Sequence, residues 1–315
     1  MYRIGIDLGG TNIAAGIVDG DYKIVSKGSV PTIAHRDADE IVKDMAALCK
    51  ALLKDAGLTL ADVELVGAAS PGNVDRDLGV VVYANNIKMK NYPLAEKLGK
   101  ALGFDKIEVE NDANAAALGE AIAGCGKGVS SFVMVTLGTG VGGGIVIDGK
   151  IYSGYKGAGA ELGHMVIEHN GVPCTCGRRG CFESYSSATG LIRMTRNKML
   201  EDKSSSMWRL VEGDIDRVSG RTAFKAAAGG DKSAREVCAE YIDYLSCGLA
   251  NVINVLRPEI LALGGGVSHE GPALMEPLIE RVLSESYGGG LVPMTEIVQA
   301  TLGNDAGIIG AAYIS

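Results

Sequence analysis

Between Glu161 and Glu183 the chain reads E-L-G-H-M-V-I-E-H-N-G-V-P-C-T-C-G-R-R-G-C-F-E. Cys174, Cys176 and Cys181 are close enough in sequence to converge on one point, and His164 lies ten residues upstream. The turn signal Asn170-Gly171 lets the chain fold back between them. Three thiolates and one imidazole make a closed tetrahedral Cys3His zinc site, the structural kind with no open position for catalysis. The pattern C-x-C-G-x-x-G-C sets these residues between glycines that permit tight turns, which three accidentally neighbouring thiols would not need. A disulfide is disfavoured because C-x-C cysteines are poorly placed to bridge and intracellular thiols stay reduced. His169 is the rival nitrogen ligand. His164 is preferred because Glu161 and Glu183 then flank the outermost ligands, where metal binding would set both carboxylates to grip a polar ligand.

Three glycine loops follow three apolar strands: G-G-T-N at 9–12, G-T-G-V-G-G-G at 138–144 and G-G-G at 264–266. Backbone N–H groups exposed by such loops form anion-binding concavities. One loop alone is an ordinary turn; three at strand ends point to the binding of nucleotide phosphates. The candidates are Gly9, Gly10, Thr11 and Asn12, then Thr136, Gly138, Thr139 and Gly140, then Gly264, Gly265 and Gly266. Neither G-x-x-x-x-G-K-[ST] nor G-x-G-x-x-G occurs at any of them. Asp7 ends the first strand, just before its loop. It reads alone as a turn cap, but beside a phosphate loop it is suited to holding Mg²⁺. Asp112 sits where a helix begins after a buried strand. Alone it is an ordinary N-cap, yet the helix N-terminus also favours its ionised form. There it can orient a sugar hydroxyl and accept its proton during phosphoryl transfer. Glu110, its nearest competitor, points to the same face two residues earlier, further from the loop.

These residues need an α/β frame. Tyr2 to Ile24 read as a β-hairpin with a glycine turn and a second reversal at Asp19-Gly20. Ile41, Met45, Leu48 and Leu52, at helical spacing, predict a helix from about Asp37 to Ala56. A buried strand over Val63–Ala69 ends at Ser70-Pro71-Gly72-Asn73. A short helix around Leu94–Leu102 leads to a strand at Lys106–Glu110 and an alanine-rich helix to about Ala123. Near Ser130 the opening pattern recurs: strand, glycine turn, strand, then the type I′ signal Asp148-Gly149. This reads as an internal duplication, two α/β halves facing each other. Asn197–Gly220 is polar and expected to be a surface excursion. Ser233–Leu256 predicts a long amphipathic helix that stops before Pro258. A buried strand at Ile260–Leu263 follows. The last helix, about Ala306–Tyr313, is too short to stand alone and should dock on an earlier element.

With 315 residues the chain can build two domains with real cores. Its 45 glycines follow no collagen-like period and cluster in short loops. A net charge of −8 argues against sequence-independent affinity for nucleic acid. Beyond the cluster, Cys49, Cys125, Cys238 and Cys247 are expected to be small core residues. A strand pattern begins at Tyr2, so no signal peptide is expected. No apolar run reaches the ~18 residues needed to span a bilayer. The expectation is therefore a cytoplasmic protein without a membrane partner.

D-L-G-G-T-N, E-N-D-A-N-A-A-A-L-G-E, L-G-T-G-V-G-G-G-I, E-L-G-H-M and C-x-C-G-x-x-G-C-F-E, in this order, resemble the ROK family (repressors, open reading frames, kinases) over nearly the whole chain. That family lies within the wider sugar kinase, heat-shock ATPase and actin superfamily. The resemblance implies an α/β, two-domain actin-like or hexokinase-like fold, a duplicated ribonuclease H-like unit with a ligand cleft between domains. The small domain would span 1–113 plus 303–315, and the large domain 114–302 with the zinc stretch at 164–181. The implied activity is transfer of the ATP γ-phosphoryl to the 6-hydroxyl of glucose, with Mg²⁺ and a structural Zn²⁺. Asp112 matches the family's catalytic base. Asn111, Glu161, His164 and Glu183 match sugar-hydroxyl contacts, and Gly72 matches a glycine lining the sugar site. Asn86, in A-N-N-I, approximately matches the asparagine of the family's P-N-L segment, with Asn85 as the neighbouring alternative. The loop after Pro71 reads G-N-V-D where G-P-V-D is usual, and no functional change is expected from it. Family members are usually dimers or tetramers. N-acetylmannosamine kinase shares every motif used here and is the main alternative. A sugar-responsive repressor of the family would need a helix-turn-helix, for which the strand beginning at Tyr2 leaves no room.

Overall fold

The structure is a computed structural model that describes residues 1–84 and 86–314. Apolar alternation around two tight turns makes the opening residues an antiparallel meander of β1 (Tyr2–Leu8), β2 (Asn12–Val18) and β3 (Ile24–Pro31). Helix α1 (Ala38–Asp55) starts where the Asp37 carboxylate accepts a hydrogen bond from the Asp39 amide, and it buries Ile41, Met45, Leu48 and Leu52. That stripe, one residue per turn, is what packs it against β2 and β3. β4 (Val63–Ser70) follows. A small antiparallel sheet comes next, built from β5 (Asn73–Asp75), β6 (Val80–Tyr83) and β7 (Lys90–Tyr92). After α2 (Leu94–Leu102) come β8 (Ile107–Asn111) and α3 (Asp112–Ala123). The first large sheet has the order β3-β2-β1-β4-β8, with β1, β4 and β8 mutually parallel.

The second large sheet repeats that order as β11-β10-β9-β12-β13. It uses β9 (Ser131–Leu137), β10 (Val141–Ile147) and β11 (Lys150–Ile151), then β12 (Ile260–Gly264) and β13 (Glu296–Gln299). The β10–β11 turn has φ of 51° at Asp148 and 72° at Gly149, the two left-handed residues that a type I′ turn requires. Between β11 and β12 lie α4 (Phe182–Ser186), α5 (Ala188–Glu201), α6 (Met207–Leu210), α7 (Thr222–Ala228) and α8 (Lys232–Leu256). Helix α9 (Pro272–Glu285) precedes β13, and α10 (Asp305–Ala312) closes the described chain.

The chain divides into two compact units. One comprises Met1–Met134, Gly144–Ala160 and Ala300–Ser315; the other comprises Val135–Gly143 and Glu161–Gln299. The first unit extends past residue 113, because α10 packs on α3 as well as on β1 and β4. That seating brings backbones into contact. A Cβ at Gly310 would overlap the Ala115 carbonyl of α3, and one at Gly5 would overlap the Ile308 carbonyl of α10. The short last helix is thus docked on an earlier element, as its length required.

Two expectations need correction and one needs sharpening. The polar stretch 197–220 is mostly exposed, as expected of a surface excursion, and it is also anchored: α5 runs through Glu201, Met199 and Met207 are fully buried, and the Trp208 indole donates to the Met199 carbonyl at 2.9 Å. Buried residues there are too widely spaced to give a periodic signal. Of the scattered cysteines only Cys49 and Cys238 are buried, while Cys125 and Cys247 are half-buried. The glycine stretch at 138–144 is a loop only to Gly140, because Gly142–Gly144 lie inside β10.

Gly310→Ala should cost about 1–3 kcal/mol or more, since a methyl group would have to displace packed backbone. Urea denaturation reads this as a lower midpoint with an unchanged slope. An unchanged midpoint would show that α10 is not seated this tightly.

Candidate active site and metal centre

In the first unit, the chain turns from β1 into β2 through Gly9–Thr11, and the Gly9 amide donates to the Asn12 carbonyl at 2.9 Å. Thr32, at the end of β3, braces this loop: its hydroxyl donates to the Gly9 carbonyl at 2.6 Å and its amide to the Thr11 carbonyl at 2.8 Å. The loop, Asp7 and Asn12 line a cavity of about 580 Å³. Lys27 and Asp305 line it too, ion-paired at 2.8 Å. Sequence reading missed this pair and Thr32. Lys27 and Asp305 are 278 residues apart, so no spacing could signal them. Asn86 lies with its side chain against Gly10. Asn85, its alternative, lies outside the described residues.

Asp112 is the first residue of α3, and the cap is Asn111. The Asn111 side-chain oxygen accepts from the Ala113 and Asn114 amides, and its Nδ2 donates to the Gly72 carbonyl at 3.0 Å. Asn111 therefore meets the helix's need for a cap, and Asp112 is not required for it. Gly72 has φ of 88°, and a Cβ there would overlap the Tyr83 carbonyl. Glu110 is almost wholly buried and accepts from the Asn111 amide at 2.8 Å and Asn114 Nδ2 at 3.1 Å. Arg76 Nε lies 3.1 Å from its other oxygen, close enough for an ion pair though not aligned as a hydrogen bond. Glu110 is thus spent on structure.

Asp7 and Asp112 sense one another. Burial pushes the Asp7 carboxyl up to about 6, and the negative charge of Asp112 adds to the rise. Burial and a second negative charge both disfavour the ionised form of Asp7, and a nearby divalent cation would relieve both.

In the second unit, His164, Cys174, Cys176 and Cys181 converge, with their ligand atoms all within 4.8 Å of one another. Cys176 and Cys181 Sγ are 3.6 Å apart, and Cys174 Sγ is 3.9 Å from His164 Nδ1. A tetrahedron with Zn–S bonds of about 2.3 Å has S–S edges of about 3.8 Å, so the group is sized for such an ion. The sulfurs are too far apart for a disulfide, and every cysteine is free. His169 is exposed and outside the group. The stretch folds back through bridges Val166–Cys181 and Pro173–Arg179, and the Gly177 amide donates to the Cys174 carbonyl at 3.0 Å. Burial acts to raise the Cys174 thiol, but hydrogen bonds from Cys176, Ser184 and Cys181 outweigh it and hold it at about 7. Burial and the neighbouring thiols push Cys181 up to about 12. A divalent cation resolves such crowding, because it takes its cysteine ligands as thiolates.

Glu161 is exposed and opens the single turn that carries His164. Glu183 lies in the first turn of α4, two residues after Cys181, which caps that helix. Its Oε2 accepts from the Val141 amide at 3.0 Å, a bond across 42 positions that sequence spacing did not reveal. In the β9–β10 loop the Gly138 amide donates to the Gly140 carbonyl at 3.0 Å. The start of α5 pins this loop, with the Ala188 amide on the Gly138 carbonyl and the Thr189 hydroxyl on the Thr139 carbonyl, both at 2.8 Å. Thr136 lies in β9, half-buried. Gly264 ends β12, and Gly265, with φ of 84°, passes against the Leu137 backbone before Gly266 begins a short 3₁₀ turn.

Asp7's raised pKa means the folded protein keeps a proton that the unfolded chain has lost between about pH 4 and 6, so this group makes stability fall as pH rises through that window. Asp7→Asn should therefore gain on the wild type by roughly 1–3 kcal/mol between pH 4 and pH 7. Parallel urea curves for the two proteins would show no Asp7 titration in this range.

The ROK family pattern matches residues 3–315. A glucokinase from Thermotoga maritima is 38% identical over 315 residues, covering 99% of this chain and 96% of that protein. An N-acetylmannosamine kinase from Salmonella typhi is 28% identical over 316 residues, covering 100% of this chain and 98% of that one. The crystal structure of a ROK family glucokinase from Streptomyces griseus, in complex with glucose and AMPPNP, superposes with a TM-score of 0.83 at 35% identity, covering 100% of this chain and 99% of that one. By sequence and by structure, the chain belongs to the ROK family and has the actin-like, hexokinase-like α/β fold of its sugar kinases.

Proposed function

We propose that the protein is an ATP-dependent glucokinase that transfers the γ-phosphoryl group to the 6-hydroxyl of glucose. The observation that carries this is the full-length likeness, at 35% identity, to a kinase crystallised with glucose and AMPPNP. Asp112 is the proposed general base, taking the 6-hydroxyl proton as that oxygen attacks the γ-phosphorus and ADP leaves. Asn111 supports it by capping α3 and, with Gly72, Asn86, Glu161, His164 and Glu183, is assigned to the sugar. The loops at 9–12, 138–140 and 264–266 and Thr136 are assigned to the nucleotide. Asp7 is assigned to Mg²⁺, which when bound offsets phosphate charge. His164, Cys174, Cys176 and Cys181 are assigned to a structural Zn²⁺ that would hold the Glu161–Glu183 stretch in place.

The free thiols fit a cytoplasmic setting, and no helix among the described residues is long and apolar enough to cross a membrane. A homodimer or homotetramer is proposed from the family. The second reading keeps the chemistry and changes the sugar to N-acetylmannosamine, favoured by the full-length 28% relative of that name. The distinction lies in whether the pocket takes a 2-hydroxyl or a 2-acetamido group.

ADP release measured with Mg-ATP across a hexose panel tests the proposal. High kcat/KM on glucose supports it, a preference for N-acetylmannosamine selects the second reading, and no activity on any sugar refutes both. Asp112→Asn should lower kcat by about 10²–10⁴-fold with sugar binding retained; a near-normal kcat removes Asp112 from its role. Metal analysis should find zinc in the wild type and less in Cys176→Ser, which should also melt lower. Wild-type protein free of zinc would sink the metal assignment.

A further inference from the structure

Glu183 has two neighbours that the sugar assignment does not explain. Its Oε2 accepts from the Val141 amide at 3.0 Å, where the glycine loop enters β10. Its Oε1 lies 3.9 Å from Cys174 Sγ. The residue before the loop's end is a glycine, and a Cβ at Gly140 would overlap Oε2. The missing side chain is what lets the carboxylate reach the amide. Glu183 is also fixed along the chain, because Cys181 immediately precedes α4 and is itself fully buried in the cluster. One carboxylate therefore touches both the loop that begins at Gly138 and the stretch that gathers the thiols.

We propose that Glu183 is a positioning residue, a brace that passes the order of the cysteine–histidine stretch to the 138–141 loop. The inference rests on the readings of that stretch as a metal site and of that loop as a phosphate cradle. The bond ends on a backbone amide of the loop, so it fixes the direction of that amide. When the stretch is ordered, Glu183 is held and the loop amides keep their directions. When it loosens, the carboxylate is released and Val141 loses its acceptor. Zinc would thus support nucleotide binding without touching the nucleotide.

Amide hydrogen exchange at Val141 tests this directly, alongside the affinity for AMPPNP measured without sugar. Glu183→Ala should speed Val141 exchange by about ten- to a hundredfold and weaken AMPPNP binding about tenfold, with zinc content retained. Stripping zinc from the wild type with a chelator should do the same at Val141. Glu183→Gln keeps a side-chain oxygen for the amide and should stay near wild type in both readouts, which a simple loss of charge would not allow. Unchanged Val141 exchange in Glu183→Ala overturns the brace. Unchanged exchange after zinc removal overturns the link to the metal. A wild type that binds no AMPPNP refutes the kinase reading, while the exchange comparison still decides the brace.

Discussion

Asp7 and Asp112 are held so that burial, with the second charge added, lifts the first carboxyl far from its ordinary value. Folding puts the pair there against its own electrostatics, and the surrounding structure bears the strain. Asp7 is fixed by β1, the central strand of its sheet. Asp112 is fixed by α3, which Asn111 caps and α10 clamps through backbone contacts that only glycine permits. The close seating of a short helix thus fixes both the strand that carries Asp7 and the helix that carries Asp112. Sites whose groups are held in an unfavourable arrangement gain most from the ligand that relieves it, which is the part proposed for a divalent cation here.

The second unit applies the same principle with sulfur. Three thiols and an imidazole sit at distances that suit a shared cation, and two of the thiols differ widely in acidity, Cys174 near 7 and Cys181 near 12. Metal binding must remove their protons, so the site's affinity depends on how far the fold has already favoured that loss. Cys174 is favoured by donors from Cys176, Ser184 and Cys181, which the fold of this region brings to its sulfur. The second unit thus relies on short turns to crowd its groups, where the first relies on the seating of α10 against α3.

What could be read from the chain alone was what is local. The Cys174–Cys181 spacing, the glycine after each strand and the type I′ signal at Asp148-Gly149 each depend on residues a few positions apart, and the structure forms the corresponding turns. The repeat of strand order in the two sheets was legible because each copy opens on the same strand–glycine–strand pattern. Nonlocal features were not. Glu183 to Val141, Lys27 to Asp305 and Thr32 to Gly9 are set by tertiary packing and leave no periodic trace. Helix α9 was missed because Pro277 lies inside it and reads as a breaker, although packing tolerates the one lost backbone hydrogen bond. The β5–β7 sheet was missed because its strands are three or four residues long, too short for alternation to register.

The choice of sugar illustrates why motif and fold stop where they do. A kinase and its relative acting on a 2-acetamido sugar need the same base, the same phosphate loops and the same metal stretch, since the transferred group and the attacked hydroxyl are unchanged. Selection acts at the 2-position, where rejecting a bulkier substituent takes a side chain in the way or a polar group left unpaired. Glu183 is informative here because one of its oxygens is already committed to Val141. A carboxylate fixed at one end cannot swing aside, so the sugar contact proposed for Glu183 would be stiffer than that of a free glutamate. Stiffness, more than the identity of the residue, is what could make a site with shared motifs discriminate between a hydroxyl and an acetamide.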